Sequence, residues 1–207
     1  MRARPKLGVR ISLGAVAVLL VALGAKAFVP AAVPPPAVAS RPLPTPVNDR
    51  IRFSDADPQQ LRMGDGGTRV VRSLLTTSQR MQFGEFVWND AGVPPGDIWI
   101  RIDLSRQILS VFRGEDEIAT SVILYGQDAT PTPIGNFPIR GLEKNHRSNA
   151  YDAMMPFTLW LTNDGVAIHG SNVRQGLATH GCIGVPLAFA QRLFGVAKRG
   201  DLVSVVR

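Results

Sequence analysis

Cysteine is almost missing from this chain. Cys182 is the only one, so no intramolecular disulfide can form. The Cys-x-x-Cys pairs typical of structural zinc sites are absent with it. Histidine is scarce as well, at three residues: His146, His169 and His180. Acidic residues are absent from the first 27 positions, which carry Arg2, Arg4, Lys6, Arg10 and Lys26. With those five set aside, 18 basic residues stand against 16 acidic ones, and the net charge of +7 falls to +2. That is too little for the clustered basic face of a nucleic-acid-binding protein, so nucleic acid is excluded as a partner. No internal repeat is present, which argues against a solenoid or propeller. Hydrophobic residues make up 45% and charged residues 19%, the balance of a globular chain rather than a disordered one.

The N-terminal charge belongs to a targeting segment. Its basic start leads into Ile11 to Ala25, apolar and uncharged, and Ala25-Lys26-Ala27 fits a small-x-small cleavage site. This is the order of a secretory signal. Counted past Lys26 to Val29, the stretch approaches the roughly 20 apolar residues that span a bilayer. Residues 1–27 are therefore expected to be a signal peptide or membrane anchor, with inner-membrane anchoring through residues 11–29 as the second form. Either form places the rest of the chain in the periplasm or cell envelope. Residues 28–47 hold Pro30, Pro34, Pro35, Pro36, Pro42, Pro44 and Pro46. A proline-rich linker of this length extends to on the order of 60 Å.

Residues 48–96 are expected to form an N-terminal extension packed on a main domain. Val70, Val71, Leu74 and Leu75 suggest a short helix, and Phe83 to Trp88 a strand. From Asp97 the pattern changes. Ile98, Ile100, Ile102 and Leu104 alternate with Trp99, Arg101 and Asp103, which predicts a strand with one buried face. Ile108 to Phe112 and Ile118 to Tyr125 continue a β-meander. Val166 to Ile168 predicts a short strand ending at His169. Pro186 opens a helix through Ala197, with proline well suited to a first helical position. Leu202 to Val206 is a last strand.

The chemistry concentrates at Thr179-His180-Gly181-Cys182-Ile183-Gly184-Val185-Pro186. A cysteine nucleophile needs a base for its proton and N–H donors for a developing oxyanion. Gly181 permits a backbone conformation in which amides converge. Both His169 and His180 are candidates for the base, and an adjacent imidazolium would lower the thiol pKa. An inert buried cysteine is the plainer alternative. A metal site fits poorly, because His-x-Cys lacks the usual ligand spacing.

These residues resemble a known family. Thr179-His180-Gly181-Cys182-Ile183 is similar to the signature of the L,D-transpeptidase (YkuD-type) catalytic domain. Asp103 to Leu109 resembles its opening hairpin, and Thr132-Pro133-Ile134-Gly135-Asn136-Phe137 its Thr-Pro-x-Gly-x-Phe turn. Met155-Pro156-Phe157 and Gly165 to Gly170 resemble its Met-Pro-aromatic and Ile-His-Gly segments. The resemblance covers residues 97–207. It implies a mainly β fold, a YkuD-like mixed β-sandwich or barrel with one or two helices. It also implies a peptidoglycan stem peptide as substrate, a Cys182 acyl-enzyme, transfer to an amine in a 3→3 cross-link, and no metal or organic cofactor. Cys182 would be the nucleophile, His169 the base and His180 a support. Gly181 and Cys182 would supply oxyanion amides, and Gly170, Thr179 and Arg174 would lie along the substrate. Gly184 departs from the family's arginine, and Arg174 is the candidate replacement cation. Residues 141–153 fall where the family often carries a substrate-covering loop. A carboxypeptidase or endopeptidase using the same cysteine, and a non-catalytic peptidoglycan-binding module, are the alternatives.

Overall fold

The computed structural model describes residues 46–47, 49–77, 80–148, 150 and 152–207. The targeting segment and residues 28–45 of the linker lie outside the described residues. Pro42–Arg207 forms one compact unit. No helix among the described residues is long and apolar enough to cross a membrane.

The end of the linker forms β1 (Pro46–Val47), and the extension supplies β2 (Arg50–Arg52), β3 (Gln59–Arg62), β4 (Thr68–Val71), β5 (Ser73–Leu75) and β6 (Phe86–Trp88). The helix expected around Val70 to Leu75 is instead two strands, β4 and β5. Val70 and Val71 are β-branched and stiff at χ1, and fit a pleated surface better than a helical turn. The meander follows as β7 (Ile98–Asp103), β8 (Ile108–Arg113) and β9 (Asp116–Val122), then the short β10 (Gly135–Pro138). The expected polar loop at 141–153 is largely strand. It forms the hairpin of β11 (Gly141–Ser148) and β12 (Ala153–Trp160). Its outer strand has few apolar residues to reveal a period of two. Next come β13 (Ala167–Ser171), β14 (Ile183–Pro186), α1 (Leu187–Val196) and β15 (Leu202–Val206).

One sheet runs β1-β2-β5-β9-β8-β7-β15-β10, with β6 also paired to β9. A second runs β11-β12-β13-β14, and β3-β4 is a separate hairpin. The second sheet reaches the first just beyond β9, where Leu124 and Gly184 exchange two backbone hydrogen bonds of 2.9 Å. The core between the sheets holds Ile100, Ile102, Leu109, Leu159, Ile168 and Ile183, closed by Phe189, Ala190 and Leu193 of α1. Pro186 stands at the N-cap of that helix.

Strand β7 is buried on both faces rather than one. Trp99 is 1% exposed on the face opposite Ile98, Ile100 and Ile102. It stacks on Phe112 at 4.0 Å and packs with Met63 and Val71 of the extension. The extension thus covers the outer face of the large sheet. Arg50 ties it down by donating to Ser73 Oγ at 3.0 Å and to the Glu117 and Asn89 carbonyls.

Candidate active site

Two parallel neighbours, β13 and β14, build the site. Ile168 pairs with Ile183 and His169 with Gly184. Ile168 and Ile183 face the core. Because side chains alternate along a strand, His169 turns to the opposite face, and Cys182, one residue before β14, falls level with Ala167, two residues from His169. Residues 13 apart in sequence are thus carried by neighbouring strands.

The turn carrying Cys182 is locked by two threonines. Thr132 Oγ1 accepts from the Gly126 N–H at 2.9 Å and donates to the Gly181 carbonyl at 2.9 Å. Thr179 Oγ1 donates to the Cys182 carbonyl at 2.5 Å. Gly181 adopts φ 107°, a left-handed value that favours glycine. A trans peptide directs its N–H opposite to its C=O. The Cys182 amide therefore points away from Thr132. Gly126 must also be glycine. A Cβ there would lie 2.2 Å from the Thr130 carbonyl oxygen and 2.9 Å from Gly181 Cα.

His169 Nδ1 lies 3.0 Å from the Gly170 carbonyl oxygen. A carbonyl only accepts, so Nδ1 carries the proton and Nε2 keeps a lone pair. Burial pushes the His169 pKa down. The Gly170 hydrogen bond acts the other way, and the charge of His146 adds to the depression. Burial also pushes the Cys182 thiol up, while the Ala167 backbone N–H, which stabilises the thiolate, opposes it. The thiol donates to the Gly165 carbonyl at 3.5 Å. Both directions favour the uncharged form of each group. They run against the lowered thiol pKa expected from sequence, because desolvation is the largest cause at both groups.

The other expected residues fall in different surroundings. Gly170 is buried, and an added Cβ would meet Leu187 Cδ1 at 3.0 Å and Pro156 Cγ at 3.1 Å. Its carbonyl is the acceptor for His169 Nδ1. His180 is exposed on the turn beside Thr179. Arg174 is exposed on the loop between β13 and β14. Gly184 is buried, and a Cβ would sit 2.9 Å from Ser171 Cβ and 3.4 Å from Leu124 Cβ. A longer side chain there has no room unless Ser171 moves. The sequence placed Thr132 and Ala167 within motifs but gave them no role, and it gave no sign of Gly126. Their contributions are a hydroxyl bridge, a close approach and a backbone amide, which leave little trace in a sequence.

A cavity of about 580 Å³ lies elsewhere, between the extension and the outer face of the large sheet. Its Arg101 and Arg106 pair with its own Asp103, at 3.2 and 3.9 Å.

The L,D-transpeptidase catalytic domain (YkuD) family model matches residues 97–205. No curated protein matches the chain. Among solved structures, an L,D-transpeptidase from Stackebrandtia nassauensis is similar at 22% identity and TM-score 0.51, covering 55% of this chain and 57% of that one. The L,D-transpeptidase LdtMt1, solved in complex with imipenem, is similar at 21% identity and TM-score 0.50, covering 53% and 58%. At these identities the likeness is one of fold. This chain spans a little over half the length of either structure. With its mainly β fold, and with more than half of its residues matched by the family model, the chain belongs to the L,D-transpeptidase (YkuD) catalytic domain family.

Proposed function

We propose that this protein is an exported L,D-transpeptidase that acts on peptidoglycan stem peptides through a Cys182 thioester and forms 3→3 cross-links. The observation that supports the reading is the parallel pairing of β13, which carries His169, with β14, which Cys182 directly precedes, together with a His169 Nδ1 turned to the Gly170 carbonyl so that Nε2 keeps a lone pair.

In the first half-reaction the Cys182 sulfur attacks the carbonyl of an L-centre-to-D-centre amide. His169 Nε2 takes the thiol proton as the C–S bond forms. The oxyanion is held by amides of the Gly181–Cys182 turn, whose carbonyls Thr132 and Thr179 already occupy. When the C–N bond breaks, the His169 imidazolium protonates the departing D-Ala nitrogen. In the second half-reaction His169 takes a proton from the acceptor amine, which attacks the thioester, and the sulfur leaves and regains its proton. A neutral resting pair suits this scheme, since the imidazole must begin as a base. His180 supports the turn, and Arg174 serves the anionic end of the donor in place of the arginine that Gly184 replaces. No metal or organic cofactor takes part. The basic, apolar N-terminus supports delivery to the periplasm, with anchoring through residues 11–29 as its retained form.

The test is intact-mass spectrometry of the full chain incubated with imipenem. A single covalent adduct on wild type, absent from Cys182→Ala, is expected. No adduct on folded wild type would overturn the acyl-enzyme reading and favour a peptidoglycan-binding module.

A further inference from the structure

Four non-glycine residues among those described have a positive φ, and three of them, Asp49, Gln107 and Asp152, lie in turns. The fourth is Phe157, at φ 56° inside β12. A bulky side chain rarely adopts this left-handed conformation, and within a strand it interrupts the extended backbone. Pro156 precedes it. Proline followed by a left-handed residue is the combination found at the centre of a type II turn. Thr158 Oγ1 closes the kink by donating to the Met155 carbonyl at 2.5 Å. Thr158 is fully buried, and the Phe157 ring rests edge-on against Phe194 of α1, with centroids 5.7 Å apart.

The kink lies opposite Gly170. Strands β12 and β13 pair Trp160 with Ala167 and Leu159 with Ile168. Leu161 donates to the Val166 carbonyl at 2.9 Å, so the hydrogen-bonded pairs of this ladder are Leu161 with Val166 and, two steps on, Leu159 with Ile168. Two steps further the same register would set Phe157 opposite Gly170, and a regular ladder would have the two exchange N–H to carbonyl bonds. The ladder stops short of that pair. Pro156 packs on Gly170 instead: a Cβ added to Gly170 would lie 3.1 Å from Pro156 Cγ and 3.2 Å from the Pro156 carbonyl oxygen. A buried carbonyl needs a donor, and that of Gly170 accepts from His169 Nδ1 at 3.0 Å. We propose that Pro156, Phe157 and Thr158 are positioning residues: their kink takes β12 out of its ladder with β13, so that the His169 imidazole, rather than a strand partner, occupies the Gly170 carbonyl. The consequence is the tautomer. Gly170 holds Nδ1–H, and Nε2 is left with its lone pair. Were the ladder to run on, the Phe157 N–H would compete for that carbonyl, and the imidazole would lose the contact that orients it. The catalytic meaning rests on the acyl-enzyme reading; the origin of the tautomer does not.

The experiment is NMR of the full chain in detergent micelles, with histidine labelled at its ring nitrogens, at a pH where His169 is neutral. Only three imidazoles contribute, assigned with H146Q and H180Q, and the nitrogen shifts report which ring atom of His169 carries the proton. Thr158→Val removes the hydroxyl that closes the kink. Phe157→Val puts a β-branched residue, which disfavours positive φ, at the kink itself. Both are expected to lower the Nδ1–H population of His169. Thr158→Ser keeps the hydroxyl, and Phe157→Gly adopts positive φ freely. Both should keep the wild-type tautomer even where urea denaturation shows lost packing. Imipenem acylation of Cys182 should slow in the two valine variants by on the order of tenfold or more, the scale of a misplaced general base, and stay near the wild-type rate in Thr158→Ser. Wild-type ring shifts in the folded valine variants overturn the proposal. So does a Phe157→Gly that loses the tautomer as Phe157→Val does, since the ring and not the kink would then hold it. Thr158→Ala carries the same test if Thr158→Val does not fold. Absence of acylation in wild type would sink the transpeptidase reading, while the ring shifts would still decide the origin of the tautomer.

Discussion

Glu117→Gln should make the fold more stable at alkaline pH than wild type. Glu117 lies on β9 under the extension and is 5% exposed. It accepts from the Leu75 N–H at 2.8 Å. Burial, opposed by hydrogen bonds from Ser110 and Leu75 and by the charge of Arg50, pushes its pKa from 4.5 up to about 7. The folded state therefore holds this proton more tightly than the unfolded chain does. The stability it contributes is fully present below about pH 4.5 and is lost as pH rises to about 7. One pH unit corresponds to about 1.4 kcal/mol, so the whole loss is on the order of 3 kcal/mol, and about 2 kcal/mol of it falls between pH 5.5 and pH 8. Glutamine keeps the volume and the acceptor for Leu75 but does not titrate. Arg50 keeps its hydrogen bonds, since those go to Ser73 Oγ and to backbone carbonyls. The assay is urea denaturation of both proteins at several pH values, read as the difference between them, which cancels other titrating groups. Wild type should lose about 2 kcal/mol relative to the variant from pH 5.5 to pH 8. A difference independent of pH, or one that grows in favour of wild type as pH rises, would refute the assignment of a protonated carboxyl.

Two further outcomes follow from the site. Gly126→Ala should cost about 1–3 kcal/mol or more and displace the Gly181–Cys182 turn, because its Cβ would meet the Thr130 carbonyl oxygen at 2.2 Å; urea denaturation with a parallel imipenem-adduct assay checks it, and unchanged values in both would dismiss the close approach. Alkylation of Cys182 should show an inflection above that of a free cysteine, and His169→Ala should leave it nearly in place, because burial rather than an imidazolium governs the thiol; an inflection below the free thiol that the variant abolishes would restore a thiolate–imidazolium pair.

The residues alone were enough for the family, for the β7–β9 meander with β15 and α1, and, in the sheet that carries the site, for β13. Strict alternation over Ile98 to Leu104 marked β7, and Pro186 with Leu187, Ala190, Leu193 and Phe194 marked α1, since both patterns are local. The Thr-His-Gly-Cys order pointed to the candidate nucleophile for the same reason. Other features lay beyond local pattern. Val70 to Leu75 reads as a helix until β2, β9 and the β3 hairpin offer it edges to pair with. Residues 141–148 read as a loop because few of them are apolar, yet β12 recruits them through backbone hydrogen bonds that do not depend on side-chain type. The upward push on the Cys182 thiol was not legible in the sequence, because a Cys-His neighbourhood suggests mutual charge stabilisation and says nothing of burial. Desolvation is a property of the assembled sheets. So too are the pairing of His169 with Gly184 and the placing of His146 against Trp160, since both join segments whose spacing carries no periodic signal.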